Sequence, residues 1–427
     1  MGFVSTKRQF EVALCIILVA FAGLSVSYSF ATRLKWGPDE PAHFIYIRSL
    51  ATEFAPPPIA HHETRTEDSR STHEGHQPPL YYALMALPYA FLKAAGASNE
   101  IVWRTLRLLG VVIGVAWIYL VYVLARECFK KDSYALATAA FASLIPTSGY
   151  MAGVINNEIL IALLFTWSMI PILAYFKSGE MPMKRAISLG LLIGLAILVK
   201  AQGLVLIPTF LLACLAVCRR QRYADYKEAL RGVGVVLGIA AVVCGWWFVR
   251  AWVLYGTVMP RSLYNPMLEE GMMLFFVDPA WTITNLWRIT ALLYGYFMVP
   301  FWLVQKHVAW WDYFGALCAF TAVAVIGLVT RLRRDRDIDR RALAFLLFAP
   351  AATYVLYIRY VLVVDHMAKL QGRLFLSVAA VAAIFFIVGF DGLLRSARAK
   401  KVGAICGCAL MLLANVAVIA SAVALYY

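Results

Sequence analysis

Residues 78–95 read PPLYYALMALPYAFLKAA, and whether this run crosses a membrane decides the architecture of the whole chain. The run is apolar but short, and Pro78, Pro79 and Pro88 interrupt it. A spanning helix needs about 20 predominantly apolar residues. Runs of that kind occur near 9–30, 104–125, 133–152, 158–176, 186–201, 203–218, 232–253, 314–330, 342–362, 374–390 and 402–425, about eleven in all. Basic residues in short loops mark the cytoplasmic side. If 78–95 lies along the outer surface, every basic cluster falls on one side. These are Lys7/Arg8, Arg126/Lys130/Lys131, Lys177/Lys184/Arg185, Arg219/Arg220/Arg222/Lys227/Arg231, the run from Arg331 to Arg341, and Arg395/Arg398/Lys400/Lys401. If 78–95 crossed, every cluster after the first would move outside, so the flat reading is preferred.

Composition agrees with an all-α polytopic membrane protein. Of the 427 residues 62% are hydrophobic and 15% charged, with a mean hydropathy of +0.73. Soluble domains carry about 45–50% apolar and about 25% charged residues, so the surplus apolar surface belongs in lipid. The net charge of +15 sits in the loop clusters. It sets orientation and attracts anionic headgroups, and no nucleic-acid partner is expected. The eight cysteines form no pair of CxxC motifs and read as small packing residues. Lys7 and Arg8 precede an apolar stretch longer than a signal-peptide core, so an uncleaved first span is expected.

The chain reads as one transmembrane domain, 1–427, with long outer segments at 31–103 and 254–313. A shorter outer connection near 363–373 holds Asp365, His366, Lys369 and Arg373. Outer segments beyond ~12–15 residues are usually functional. The first carries WGPDEPAHFIYIRSLA, Trp36 to Ala51. Asp39 and Glu40 before Pro41 make an acidic helix start. From there Asp39, His43 and Tyr46 fall on one stripe. On spacing alone, Asp39 caps a surface helix and His43 anchors at the interface.

A histidine-rich stretch follows, from His61-His62-Glu63 to His73-Glu74-Gly75-His76, without a helical pair of histidines. It reads as a solvated loop rather than a metal site, and it leads into HQPPLYY at the start of the interfacial helix. Trp246, Trp247, Arg250 and Trp252 close one span as an aromatic belt with a snorkelling arginine. The second outer segment holds Trp281, Trp287, Trp302, Trp310 and Trp311, which suit either sugar stacking or the interface. Arg373, in Gln371-Gly372-Arg373, suits a lipid phosphate because its planar fork matches phosphate oxygens. Lys200 interrupts an apolar stretch, where charge is costly and therefore functional by default.

The ordered set of pieces resembles the GT-C glycosyltransferases, polytopic enzymes that use polyprenyl-phosphate sugars. It is most similar to the bacterial branch related to protein O-mannosyltransferases and the lipid A aminoarabinose transferase. The pieces are the acidic pair Asp39-Glu40, PPLYY at 78–82, Asn156-Asn157-Glu158, GLAILVKAQGL at 194–204, WWFVRAWVLYG at 246–256 and QGRLF at 371–375. The His-rich insert Ala60 to His76 has no counterpart in that pattern, and the large soluble C-terminal domain that many members carry is not expected here.

The resemblance implies inversion at an anomeric carbon with polyprenyl phosphate leaving. It implies Asp39 as base, with Glu40 as neighbour or substitute. Arg373 is the first choice to bind the phosphate, with Lys369, Arg250, His43, His76 and Lys200 behind it. No metal and no cofactor are implied. The partners are a polyprenyl-phosphate-linked sugar, a cell-envelope acceptor and membrane lipids, with the site facing the periplasm from the inner membrane and the N-terminus in the cytoplasm. Two other readings remain: a lipid-linked glycan transporter or flippase, and a glycan polymerase or ligase. A transporter would place charges at midplane, whereas here they gather outside.

Overall fold

Inside a membrane no water satisfies backbone N–H and C=O groups, so spanning segments close their hydrogen bonds within a helix. The computed structural model describes residues 7–59, 73–222, 226–260, 310–334, 338–359 and 372–426. Among these, all regular structure is helical. Eight segments are long and apolar enough to cross a membrane: Lys7–Ala31, Asn99–Phe129, Glu158–Ser178, Ala201–Arg220, Tyr226–Tyr255, Arg340–Ile358, Gly372–Leu393 and Ala397–Ala424. Against about eleven expected runs, these eight are established among the described residues.

The other runs show how local chemistry shapes a span. Run 133–152 divides into Asp132–Leu144 and Pro146–Ala152, because Pro146 forces Ile145 into the extended region (φ −64°, ψ 116°). Run 186–201 becomes a 17-residue helix, Met183–Val199. It stops at Lys200, which is extended (φ −161°, ψ 143°) ahead of a 3₁₀ turn, Ala201–Val205. Run 314–330 lies in a 25-residue helix, Trp310–Arg334.

The following labels serve below: α1 is Lys7–Ala31, α2 Glu40–Thr52, α3 Leu80–Ala94, α4 Asn99–Phe129, α5 Asp132–Leu144, α6 Pro146–Ala152 and α7 Glu158–Ser178. Next come α8, Met183–Val199, α9, Leu206–Arg220, α10, Tyr226–Tyr255, and α11, Trp310–Arg334. Last are α12, Arg340–Leu346, α13, Phe348–Arg359, α14, Ala379–Leu393, and α15, Ala397–Tyr426.

The run that opened the sequence reading is α3, 15 residues and so about 22 Å long, well short of a ~30 Å core. It packs on α2 and buries Tyr81, Tyr82, Met85 and Tyr89. Its opposite face leaves Leu87 72% and Phe91 74% exposed. One buried stripe and one bare apolar stripe suit a helix lying in an interface.

Contacts between loops bring the basic clusters to one end of the bundle. Lys177 Nζ donates to the carbonyls of Glu127 (2.7 Å) and Cys128 (3.2 Å), and Arg220 donates to that of Phe176 (3.0 Å). Asp391 gathers Arg331 (2.9 Å), Lys400 (2.5 Å) and the Tyr134 hydroxyl (2.6 Å). Asp39, Glu158, Lys200 and Arg373 meet at the opposite end.

Helix pairing relies on small residues, since lipid removes the hydrophobic drive between helices. The tightest crossing is α11 on α14. A Cβ at Gly389 would overlap the Ala324 carbonyl, and one at Gly327 the Gly389 carbonyl. Gly389→Val should therefore push the pair apart and cost about 1–3 kcal/mol. It should lower the thermal midpoint in detergent. Gly238→Ala, which meets open space, should leave it unchanged or raise it. Equal midpoints for both variants would contradict this crossing.

Candidate active site

The site is built from the loop joining α1 to α2, and the strongest anchor in that loop is Glu40. Its carboxylate forms a fork-to-fork pair with Arg107 of α4: Nε to Oε1 and Nη2 to Oε2, both 2.7 Å. The Ile155 N–H (3.0 Å) and the Gly37 N–H (3.1 Å) also donate to Glu40. Arg107 spends its remaining N–H groups on the carbonyls of Ser29, Thr32 and Arg33. Both side chains are fully buried. Gly37 leaves room here: a Cβ would sit 3.0 Å from both Glu40 Cδ and Val154 Cβ, so these side chains would have to shift. A fully paired buried ion pair of this kind fixes a loop in one conformation.

Asp39, one residue earlier, points elsewhere. It occupies the N-cap position of α2 in the left-handed region (φ 55°, ψ 13°), and its side chain makes no capping hydrogen bond. The expected cap is replaced by a long-range contact, in which Arg373 Nη2 donates to Asp39 Oδ2 at 2.5 Å. Arg373 Nη1 also reaches the Pro38 carbonyl at 3.4 Å. The Asp39 side chain keeps 35% of its surface exposed. Arg373 Nε is buried and has no acceptor. Non-glycine residues held at positive φ cluster where surrounding structure and function require them.

A second ion pair stands beside the first. Asn156 shapes the start of α7: its Nδ2 donates to the Met151 and Val154 carbonyls, while its Oδ1 accepts from the Glu158 N–H at 2.8 Å. Glu158 Oε1 then accepts from Lys200 Nζ at 2.5 Å, and Glu158 Oε2 is buried without a partner. Two residues on, Gln202 Nε2 donates to the Leu374 carbonyl and to Ser377 Oγ (3.2 Å). This ties the break between α8 and α9 to the 3₁₀ turn Gly372–Val378 that carries Arg373. Glu158 acts electrostatically on Arg373, as do Asp39 and Glu74.

An aromatic wall closes the side toward α3. Tyr46 and Tyr82 stack at 3.8 Å between ring centroids, and His43 Nδ1 shares a 2.9 Å hydrogen bond with the Tyr82 hydroxyl. The Tyr46 hydroxyl donates to the Gln77 carbonyl at 3.0 Å. Burial holds both phenols far above their usual range; Arg250 pulls Tyr46 partly back, while Glu74 pushes Tyr82 further up. Both therefore stay protonated.

Of the residues singled out in the sequence, Asp39 and Arg373 come together. Glu40 lies beside them with both oxygens taken by Arg107 and backbone N–H groups. Lys200 is the partner of Glu158, and His43 that of Tyr82. Arg250 lies over the Trp247 ring at 5.0 Å, and Trp247 is buried rather than part of an exposed belt, unlike Trp246 and Trp252. His76 ends a 3₁₀ turn, His73–His76, and is half-buried. Lys369, Asp365, His366, Gln371, the stretch 60–72 and Trp281, Trp287 and Trp302 lie outside the described residues. Among the described residues no three His, Cys, Asp or Glu side chains group as metal ligands would.

Glu158, Gln202 and Arg107 were not among the sequence candidates. Arg107 and Glu158 carried the signal that flagged Lys200, a charge within or bordering a spanning run. Gln202 lies in the piece GLAILVKAQGL at 194–204 that carries the resemblance, but its residue type alone marks no role.

A family model described as Predicted membrane protein (DUF2142) matches residues 48–382. No curated protein matches the chain by sequence. Among solved structures, the chain is similar to the oligosaccharyltransferase of Archaeoglobus fulgidus tethered to an acceptor peptide, with a TM-score of 0.54 and 16% identity. That match covers 98% of this chain and 55% of the other. ArnT from Cupriavidus metallidurans bound to undecaprenyl phosphate gives a TM-score of 0.53 and 18% identity, over 95% of this chain and 64% of ArnT. The archaeal oligosaccharyltransferase AglB in complex with an inhibitory peptide and a dolichol-phosphate gives 0.50 and 17%, over 96% and 55%. The chain thus spans less than two thirds of each of these proteins. The likeness establishes the fold, a helical GT-C membrane architecture.

Proposed function

This chain belongs to the DUF2142 family of membrane proteins, and we propose that it is an inverting glycosyltransferase that moves a monosaccharide from a polyprenyl-phosphate donor to an envelope glycan, lipid or protein. The observation that carries this reading is the Asp39–Arg373 pair: a half-open carboxylate facing a guanidinium whose buried Nε–H has no acceptor. The solved neighbours that hold undecaprenyl phosphate and dolichol-phosphate support the donor class.

In this reading the acceptor hydroxyl attacks the anomeric carbon as Asp39 takes its proton. The carbon–oxygen bond to phosphate breaks, and its electron pair leaves on the phosphate. The phosphodiester thereby becomes a monoester with one more negative charge, which Arg373 is placed to meet. Its Nε and Nη2 form the fork that binds phosphate oxygens in pairs. Engaging phosphate there displaces Asp39 from Arg373 and leaves the carboxylate open to the acceptor, so donor binds first. Glu40 holds the loop, and Asp39 alone serves as base. The basic clusters at the opposite end of the bundle support a cytoplasmic position for that end, with this site on the periplasmic face of the inner membrane. The bare apolar stripe of α3 lies beside it as a surface for the lipid tail.

The test is transfer by purified protein in lipid, supplied with radiolabelled polyprenyl-phosphate hexoses and pentoses and a cell-envelope extract. Labelled acceptor is the expected result. Labelled lipid that crosses the bilayer without transfer would move the assignment to a transporter. Arg373→Ala should lower transfer about 10²–10³-fold, the usual loss when a group meeting developing negative charge is removed.

A further inference from the structure

Two acceptor oxygens near Arg373 have no donor. Glu158 Oε2 and Gln202 Oε1 are both buried without a hydrogen-bond partner, on residues only 2% exposed. The two residues are linked: Glu158 pairs with Lys200, and Gln202 follows two positions later, tied to Leu374 next to Arg373. Buried polar atoms are paired in the great majority of cases, so each exception calls for a reason. Both oxygens can only accept, so only a donor satisfies them. Lys200 already neutralises Glu158 at 2.5 Å, which removes the need for a second cation and leaves neutral hydroxyl groups as the fitting donors.

Resting on the transferase reading above, we propose that Glu158 and Gln202 accept hydrogen bonds from two hydroxyl groups of the donor sugar. They thereby select a neutral, hydroxyl-bearing sugar. A uronate has a carboxylate in place of its 6-hydroxyl, so it brings an acceptor where these two oxygens need a donor. Arg373 keeps its spare N–H for the phosphate, so one buried cluster divides between the two halves of the donor. Glu158 and Gln202 touch the sugar away from the bond that breaks, and their role is specificity.

The experiment uses the full-length protein in lipid with a radiolabelled polyprenyl-phosphate hexose, its set of monodeoxy analogues and the matching hexuronate. With wild type, two of the deoxy donors should fall about 10–100-fold in kcat/KM, since each leaves one acceptor buried and unpaired. The hexuronate should not be transferred. Gln202→Met, of similar volume, should lower the parent donor by the same factor and make one deoxy donor its equal. The double variant Glu158→Met with Lys200→Met, which leaves neither an acceptor nor a buried charge behind, should do the same for the other. Equal use of every deoxy donor by wild type overturns the subsite, and this arm needs no variant to fold. A uniform loss across all donors in the variants overturns it too, while transfer by wild type still upholds the enzyme class. Wild type inactive with every polyprenyl-phosphate sugar overturns both.

Discussion

Asp39→Asn should abolish transfer while the protein still inserts and folds. The substitution keeps shape and removes only the ability to take a proton. A positioned base is worth about 10²–10⁴-fold, so the residual rate should fall by at least that range. Folding should survive for a local reason: Asp39 sits at φ 55°, and asparagine tolerates the left-handed region as well as any non-glycine residue. A second readout separates base from scaffold. On the proposed mechanism phosphate must displace Asp39 from Arg373, and a neutral amide should compete less. Binding of polyprenyl phosphate should therefore hold or tighten as kcat collapses. Measured together, a lost kcat with retained lipid binding supports the base. Wild-type transfer rates in this variant would remove Asp39 from the chemistry.

Arg107→Met should be the most destabilising single change in the described chain. Arg107 lies fully buried, and its loss leaves the Glu40 carboxylate without its counter-ion and the carbonyls of Ser29, Thr32 and Arg33 without a donor. Removing one partner of a buried pair costs about 3–5 kcal/mol, mostly because the other charge remains buried. Methionine matches much of the arginine stem in volume, so packing loss is a minor part of the effect. The double variant Glu40→Gln with Arg107→Met should recover part of the loss, since no isolated charge is left. Denaturation in detergent, run as a double-mutant cycle, reads the coupling between the two sites directly. Additive losses would mean that the pair holds nothing together. Because Asp39 adjoins Glu40, the folded fraction of Arg107→Met should also transfer sugar more slowly.

These two residues mark how far the sequence could be read. An acidic pair at the mouth of the first span was legible from hydropathy and helix-start chemistry. So was the shortness of 78–95, which forms a 15-residue helix, because Pro content is a local property. Arg373 could be picked out by its place outside a span and by its planar fork. The division of labour within the acidic pair could not. Nor could the role of Lys200, which looked like a free cation in an apolar run and is the counter-ion of Glu158.

By itself the sequence determined what short-range physics decides: which runs enter lipid, on which side the basic loops gather, and where helices start and break. Each of those follows from hydropathy, charge or backbone preference within about twenty residues. Only the tertiary structure decided which of two adjacent carboxylates is available for chemistry. Glu40 finds Arg107 67 positions along the chain, and Asp39 finds Arg373 334 positions along. Neighbouring residues at a helix start point in different directions, so each meets whatever the folded bundle brings to its side. One met a fully paired anchor, and the other met a guanidinium with an N–H to spare.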